Sequence, residues 1–95
     1  MSLPRERLLD AAKSLISGDR ADAYGDAHKN FSTIADLWTA YLGRSESPVI
    51  DAHDVAVMMI LLKAARLANN HKHWDSWLDI AGYAGLGAEM VNEDV

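Results

Sequence analysis

Two pairs of aspartates stand one helical turn apart in this chain: Asp51 with Asp54, and Asp75 with Asp79. Carboxylates three or four residues apart share a helix face, and one or two of them together with phosphate oxygens commonly hold Mg2+. Lys63 and Arg66 form a basic pair at the same kind of spacing. A guanidinium grips planar oxyanions through parallel hydrogen bonds, and an ammonium adds a point charge. Tyr83 continues the Asp75/Asp79 stripe by one more turn, while Arg20 and Tyr24 sit in the glycine-bounded stretch from Gly18 to Gly25. Read as a ligand site, Asp54, Asp75 and Asp79 are candidate metal ligands. Arg20, Lys63 and Arg66 are candidate phosphate contacts, and Tyr24 or Tyr83 would meet a base. The cofactor would be Mg2+, and the chemistry would be metal-assisted attack of water on a phosphoanhydride.

Each of these residues also has a structural explanation. Asp51 and Asp54 open a helix, where aspartates satisfy free N–H groups and favour the positive end of the dipole. Lys63 and Arg66 could cover the core with their stems or pair internally with Asp75 and Asp79. The latter stripe, with Tyr83, could be a wet face. Asp19 and Asp22 could pin Arg20, with Tyr24 as a plug. His71 and His73 flank Lys72 in a short connection, where exposed histidines are the ordinary case. No phosphate-binding glycine loop and no Ser/His/Asp arrangement is present, and the absence of cysteine excludes thiol nucleophiles, thiolate metal sites and disulfides.

Four helices are needed to position these groups. They are expected at about Pro4–Ser17, Ala27–Leu42, Ala52–Asn69 and His73–Met90, with a frayed acidic tail from Val91 to Val95. Pro4 suits a first-turn position, Gly18 and Gly43 suit left-handed stops, and Asp26 and Asp51 suit N-caps. Ile50 and Val55 sit where a hydrophobic staple closes. The run Val55–Leu62 is apolar on every side, so the third helix must be covered all round. Either the other helices wrap it or it forms a dimer interface. In the fourth helix, Trp74, Trp77, Leu78, Ala81, Ala84, Gly85 and Ala88 define one broad apolar face opposite the Asp75/Asp79/Tyr83 stripe. Gly82, Gly85 and Gly87 each cost about 1 kcal/mol within a helix relative to alanine. A neighbouring helix at close range would offset that, or the helix breaks near Gly85.

The chain has 95 residues, 49% of them hydrophobic, and a formal net charge of -5 with its basic residues scattered. Length predicts one domain, the four helical segments predict an all-α, compact four-helix arrangement, and the all-round apolar third helix predicts a dimer through it. Scattered cations argue against sequence-specific nucleic-acid binding. The longest apolar run is too short for a membrane span, and Met1–Glu6 has no signal-peptide core. A cytoplasmic location is expected.

Gly18-Asp19-Arg20 with Tyr24-Gly25, Asn30-Phe31, Leu37-Trp38, Asp54-Val55 with Lys63 and Arg66, Asp75-Ser76-Trp77 and Asp79-Ile80-Ala81-Gly82-Tyr83 together resemble small uncharacterised helical proteins encoded by phages and prophages, from about Arg5 to Glu89. That likeness implies a bacterial host cell and transfers no activity. More loosely, the acidic helix, Lys-x-x-Arg and Asp-rich helix with a tyrosine resemble domains of phage nucleotide metabolism and the all-α nucleotide pyrophosphohydrolases of the MazG type. That resemblance implies Mg2+, a nucleotide substrate and a helical dimer. The chain departs from it in lacking Glu-x-x-Glu. His53-Asp54, with His28 upstream and Asp75 or Asp79 downstream, is also similar to the ligand order of HD-type phosphohydrolases. Two functions of different class follow: a nucleotide-binding or metal-dependent nucleotide pyrophosphohydrolase-like protein, or a non-catalytic helical interaction module whose charges form a structural salt-bridge network.

Overall fold

The computed structural model describes residues 2–17, 27–43 and 49–92. These form four helices, α1 (Pro4–Leu15), α2 (Ala27–Leu42), α3 (Ala52–Asn69) and α4 (Trp74–Val91), and contain no strand.

Local chemistry sets the helix ends. Pro4 opens α1, and the Leu3 N–H donates to Glu6 Oε1 at 2.9 Å. The helix stops at Leu15 rather than Ser17. Ile16 has left helical geometry, and the Ser17 hydroxyl donates back to the Lys13 carbonyl. Gly18 and Asp26, expected as a stop and a cap, lie outside the described residues. Gly43 closes α2 with a φ of 61°, a conformation open to glycine at little steric penalty. Asp51 precedes α3 in extended geometry, and its N–H donates to Asp54 Oδ2 at 3.0 Å. The α2 exit and α3 entry are tied through Thr39. Its Oγ1 donates to the Ala35 carbonyl at 2.8 Å and accepts the Ile50 N–H at 3.1 Å.

Four residues, Asn70–His73, join α3 to α4 and make an antiparallel hairpin. Two contacts fix its register. Lys63 Nζ lies 3.2 Å from Asp79 Oδ2 near the turn. Further from the turn, α4 passes so close to α3 that a Cβ on Gly87 would meet Ala56 Cβ at 3.0 Å. The other two helices flank this hairpin: α1 packs on α4, and α2 packs on α3 while touching α4 more lightly. The core of Phe31, Ala35, Ala52, Val55 and Ala56 lies between α2, α3 and α4, with Ile34, Trp38, Ile50, Met59, Tyr83, Leu86 and Met90 around it.

Two sequence expectations need correction. The apolar face of α4 is only partly the expected one: Leu78, Ala81 and Gly85 are half-buried, but Trp74 and Trp77 are 44% and 46% exposed, while Tyr83, Leu86 and Met90 pack against the core. A single apolar stripe presumes one neighbour, but α4 has α3 on one side and α1 on another, with Leu15 and Ile16 against Gly82 and Gly85. Trp77 is held over the hairpin turn, where its indole N–H donates to the His71 carbonyl at 2.9 Å. Of the two alternatives for α3, wrapping by the other helices is the one overturned, because Val57, Met58, Leu61 and Leu62 are exposed on its outer side.

The glycines of α4 yield a graded prediction. A Cβ at Gly82 meets Leu15 and Ile16 side chains at 3.5 Å, an ordinary contact, whereas at Gly87 it meets the rigid Cβ of Ala56. Gly82→Ala is therefore expected to raise unfolding free energy by about 0.5–1 kcal/mol through helix propensity. Gly87→Ala is expected to lower it by about 1–3 kcal/mol through overpacking. Urea denaturation of the two variants checks the opposite signs.

Candidate functional site

The hairpin register decides which of the singled-out polar residues can meet. Lys63 and Asp79 pair across it, their side chains 14% and 31% exposed. Tyr83, one turn further along α4, turns inward against Phe31 with ring centroids 6.0 Å apart and planes tilted by 43°. Asp75 stands exposed in the first turn of α4, where negative charge favours the helix dipole. Arg66 is exposed in the last turn of α3, the complementary position for a cation. Arg20 and Tyr24 lie outside the described residues.

Asp54 stands at the other end of the hairpin. Nine residues separate it from Lys63, about 13 Å of helix axis. The level of Asp75 is further still, about 20 Å along the same axis. Asp54, Asp75 and Asp79 therefore do not share a site, and one oxygen of Asp54 already accepts the Asp51 N–H. Among the described residues no buried side-chain nitrogen or oxygen lacks a hydrogen-bond partner, so no orphaned polar group is aimed at a missing ligand. The three carboxylates do not fit a common Mg2+ ion. An open depression on α1 lined by Asp10, Lys13, Ser14 and Ser17 contains none of these groups.

The structure does gather a different set. Asp51, His53 and Asp54 each offer a ligand atom within 4.8 Å of the others, and His53 Nε2 lies 3.5 Å from Asp54 Oδ1. Sequence spacing marks the two aspartates as a capping pair and His53-Asp54 as a dipeptide; only the structure brings the three together as one group. Their positions three residues or fewer apart at a helix start were the available signal. Their arrangement is accounted for by the helix entry they build. His28, cast with them by the HD-type resemblance, sits in the first turn of α2. That is eleven residues before Thr39, or about 16 Å along the axis, and Thr39 is the residue that touches the α3 entry.

A second small network supports α4. Ser76 is 1% exposed, and its Oγ lies 2.7 Å from His73 Nδ1. This contact satisfies a buried hydroxyl beside the helix start, a position where an unpaired one would be costly. Ser76 is enclosed by packing, so the pair is structural.

The described residues thus form an all-helical protein in which Asp54 accepts the Asp51 N–H at a helix start and Lys63 pairs with Asp79 between helices. The chain belongs to the family described as a domain of unknown function, DUF6378, which it matches over residues 7–91. It is 49% identical over 83 residues to the Gene 55 protein of Mycobacterium phage L5, covering 87% of this chain and 51% of that protein. It is 41% identical over 90 residues to the Gene 55 protein of Mycobacterium phage D29, covering 95% of this chain and 57% of that protein. The chain therefore spans little more than half the length of these phage relatives. No solved structure matches it. Among the described residues no helix is long and apolar enough to cross a membrane.

The Lys63–Asp79 pair gives a test of structural against ligand-binding roles. Asp79→Asn would leave the largely buried Lys63 ammonium without its counter-charge, and is expected to lower unfolding free energy by about 1–3 kcal/mol. Replacing both partners, Lys63→Met with Asp79→Leu, is expected to recover most of that loss. Asp75→Asn, on the exposed first turn, is expected to change stability by less than about 1 kcal/mol. Chemical denaturation of the single and double variants forms the cycle.

Proposed function

We propose that this domain is a non-catalytic helical interaction module, in which the internal charges set the pairing of α3 and α4 and the outer side of α3 is the working surface. The observation that carries this reading is the exposure of four large apolar side chains on one helix. Val57, Met58, Leu61 and Leu62 are 53%, 41%, 63% and 46% exposed. Single exposed apolar residues are common on soluble proteins, whereas a contiguous set is the mark of a contact surface. The charged residues support the same reading from the inside. Lys63 and Asp79 neutralise one another, and Asp54 is committed to its helix start. The nucleotide reading would require Asp54, Asp75 and Asp79 on one cation with Lys63 and Arg66 beside it, and the register of the hairpin works against that.

Two measurements test the proposal. A photo-crosslinking residue at Leu61, in a bacterial host expressing the full chain, is expected to give a discrete protein adduct. The same residue at exposed Asp36 on α2 is expected to give none. Equal, diffuse labelling from both positions would sink the interaction reading. In parallel, thermal unfolding against nucleotides and deoxynucleotides with Mg2+ is expected to show no shift. A bound nucleotide at a hundred times its dissociation constant would add about 2.7 kcal/mol, which is several degrees in a domain of this size. A Mg2+-dependent shift of that order would restore the nucleotide reading.

A further inference from the structure

The outer side of α3 has a graded composition that bears on what covers it. Its N-terminal half carries the bulky Val57 and Met58, its middle Leu61, and its C-terminal half the exposed Ala64, Ala65 and Ala68. The charged residues between 57 and 68 are Lys63, turned inward to Asp79, and Arg66, about 140° round the helix from Leu61 at 100° per residue. An uncharged strip about 17 Å long therefore runs along the helix.

We infer that this strip is covered by a second copy of the chain, with the two α3 helices antiparallel about a two-fold axis at Leu61. The inference rests on the interaction reading above and names its partner. A two-fold interface must be complementary to itself. Antiparallel pairing about Leu61 sets Val57 against Ala65 of the second copy and Met58 against its Ala64, large against small at both ends, with Leu61 meeting itself. Parallel pairing would set Val57 on Val57 and leave alanine against alanine, a clash and a void in one interface. The first turn of α3 carries Asp54 and its last turn carries Arg66, so antiparallel helices bring opposite end charges to nearly the same level, with Arg66 on the flank outside the strip. The helix dipoles then oppose favourably as well.

The experiment combines mass with orientation. Sedimentation equilibrium of the full chain is expected to give twice 10.4 kDa. Leu61→Glu is expected to give a monomer of unchanged helicity by circular dichroism, since Leu61 takes no part in the core. Because the chain has no native cysteine, single cysteines read the orientation without background. Leu61→Cys is expected to form a disulfide dimer with itself under mild oxidation. Val57→Cys and Ala65→Cys are expected to cross-link when mixed and not separately. A monomeric wild-type chain at high micromolar concentration overturns the inference, as does self-linking of Val57→Cys and Ala65→Cys each alone. If the wild type is monomeric while the Leu61 photo-probe captures a protein of another mass, self-pairing fails and the interaction reading stands. If the probe captures nothing, both fail together.

Discussion

The close approach of α4 to α3 is the constraint on which the remaining structure depends. A Cβ at Gly87 would lie 3.0 Å from the Ala56 Cβ, and seven residues further along α3 the Lys63 ammonium meets the Asp79 carboxylate. The first contact brings the two helices close together, and the second joins one level of α3 to one level of α4. Dispersion and burial at such a contact are non-directional. An ion pair at one level of the hairpin distinguishes that level from a neighbouring turn, which is the specificity role best attested for partly buried charges. With the hairpin fixed, α4 presents Gly82 and Gly85 to Leu15 and Ile16 of α1, and α3 with Tyr83 forms the seat for Phe31 of α2. Each flanking helix takes its position from the central pair.

Helix number and most helix limits were legible in the sequence, because the signals are local. Gly43 stops α2 through its own backbone freedom, and Asp51 and Asp54 begin α3 within four residues of chain. The end of α1 was read two residues late, since the turn from Ser17 back to Lys13 competes with a stop at Gly18. What could not be read locally was which side of α4 faces in. Trp74 and Trp77 are the largest apolar side chains there, and transfer free energy alone would bury them. Their outward position depends on α1 and α3 meeting two different sides of α4, and neither contact is encoded within α4.

The candidate site divides along the same line. Of the pairings of Lys63 and Arg66 with Asp75 and Asp79 that the sequence allows, the structure shows Lys63 with Asp79, two residues at nearly equal distance from a short turn, while Arg66 and Asp75 stand exposed. The sequence could not say that Asp54 is remote from Asp75 and Asp79, since identical residue types at helical spacing look alike until topology separates them. In the trio of Asp51, His53 and Asp54, the two aspartates are brought together by the helix start they open, and His53 lies beside Asp54. The DUF6378 family match and the phage relatives identify the lineage of the chain. They leave the roles of its polar residues to be argued from geometry.

The packing of α1 on α4 has a kinetic side. Ile16 and Gly85 touch although most of the chain lies between them, whereas α3 and α4 are joined by a four-residue turn. Loop closure penalises the first contact more than the second, and local hairpins form early in helical proteins. Loop-closure entropy thus favours pairing of α3 with α4 before the docking of α1, whose contact with α4 spans nearly the whole chain.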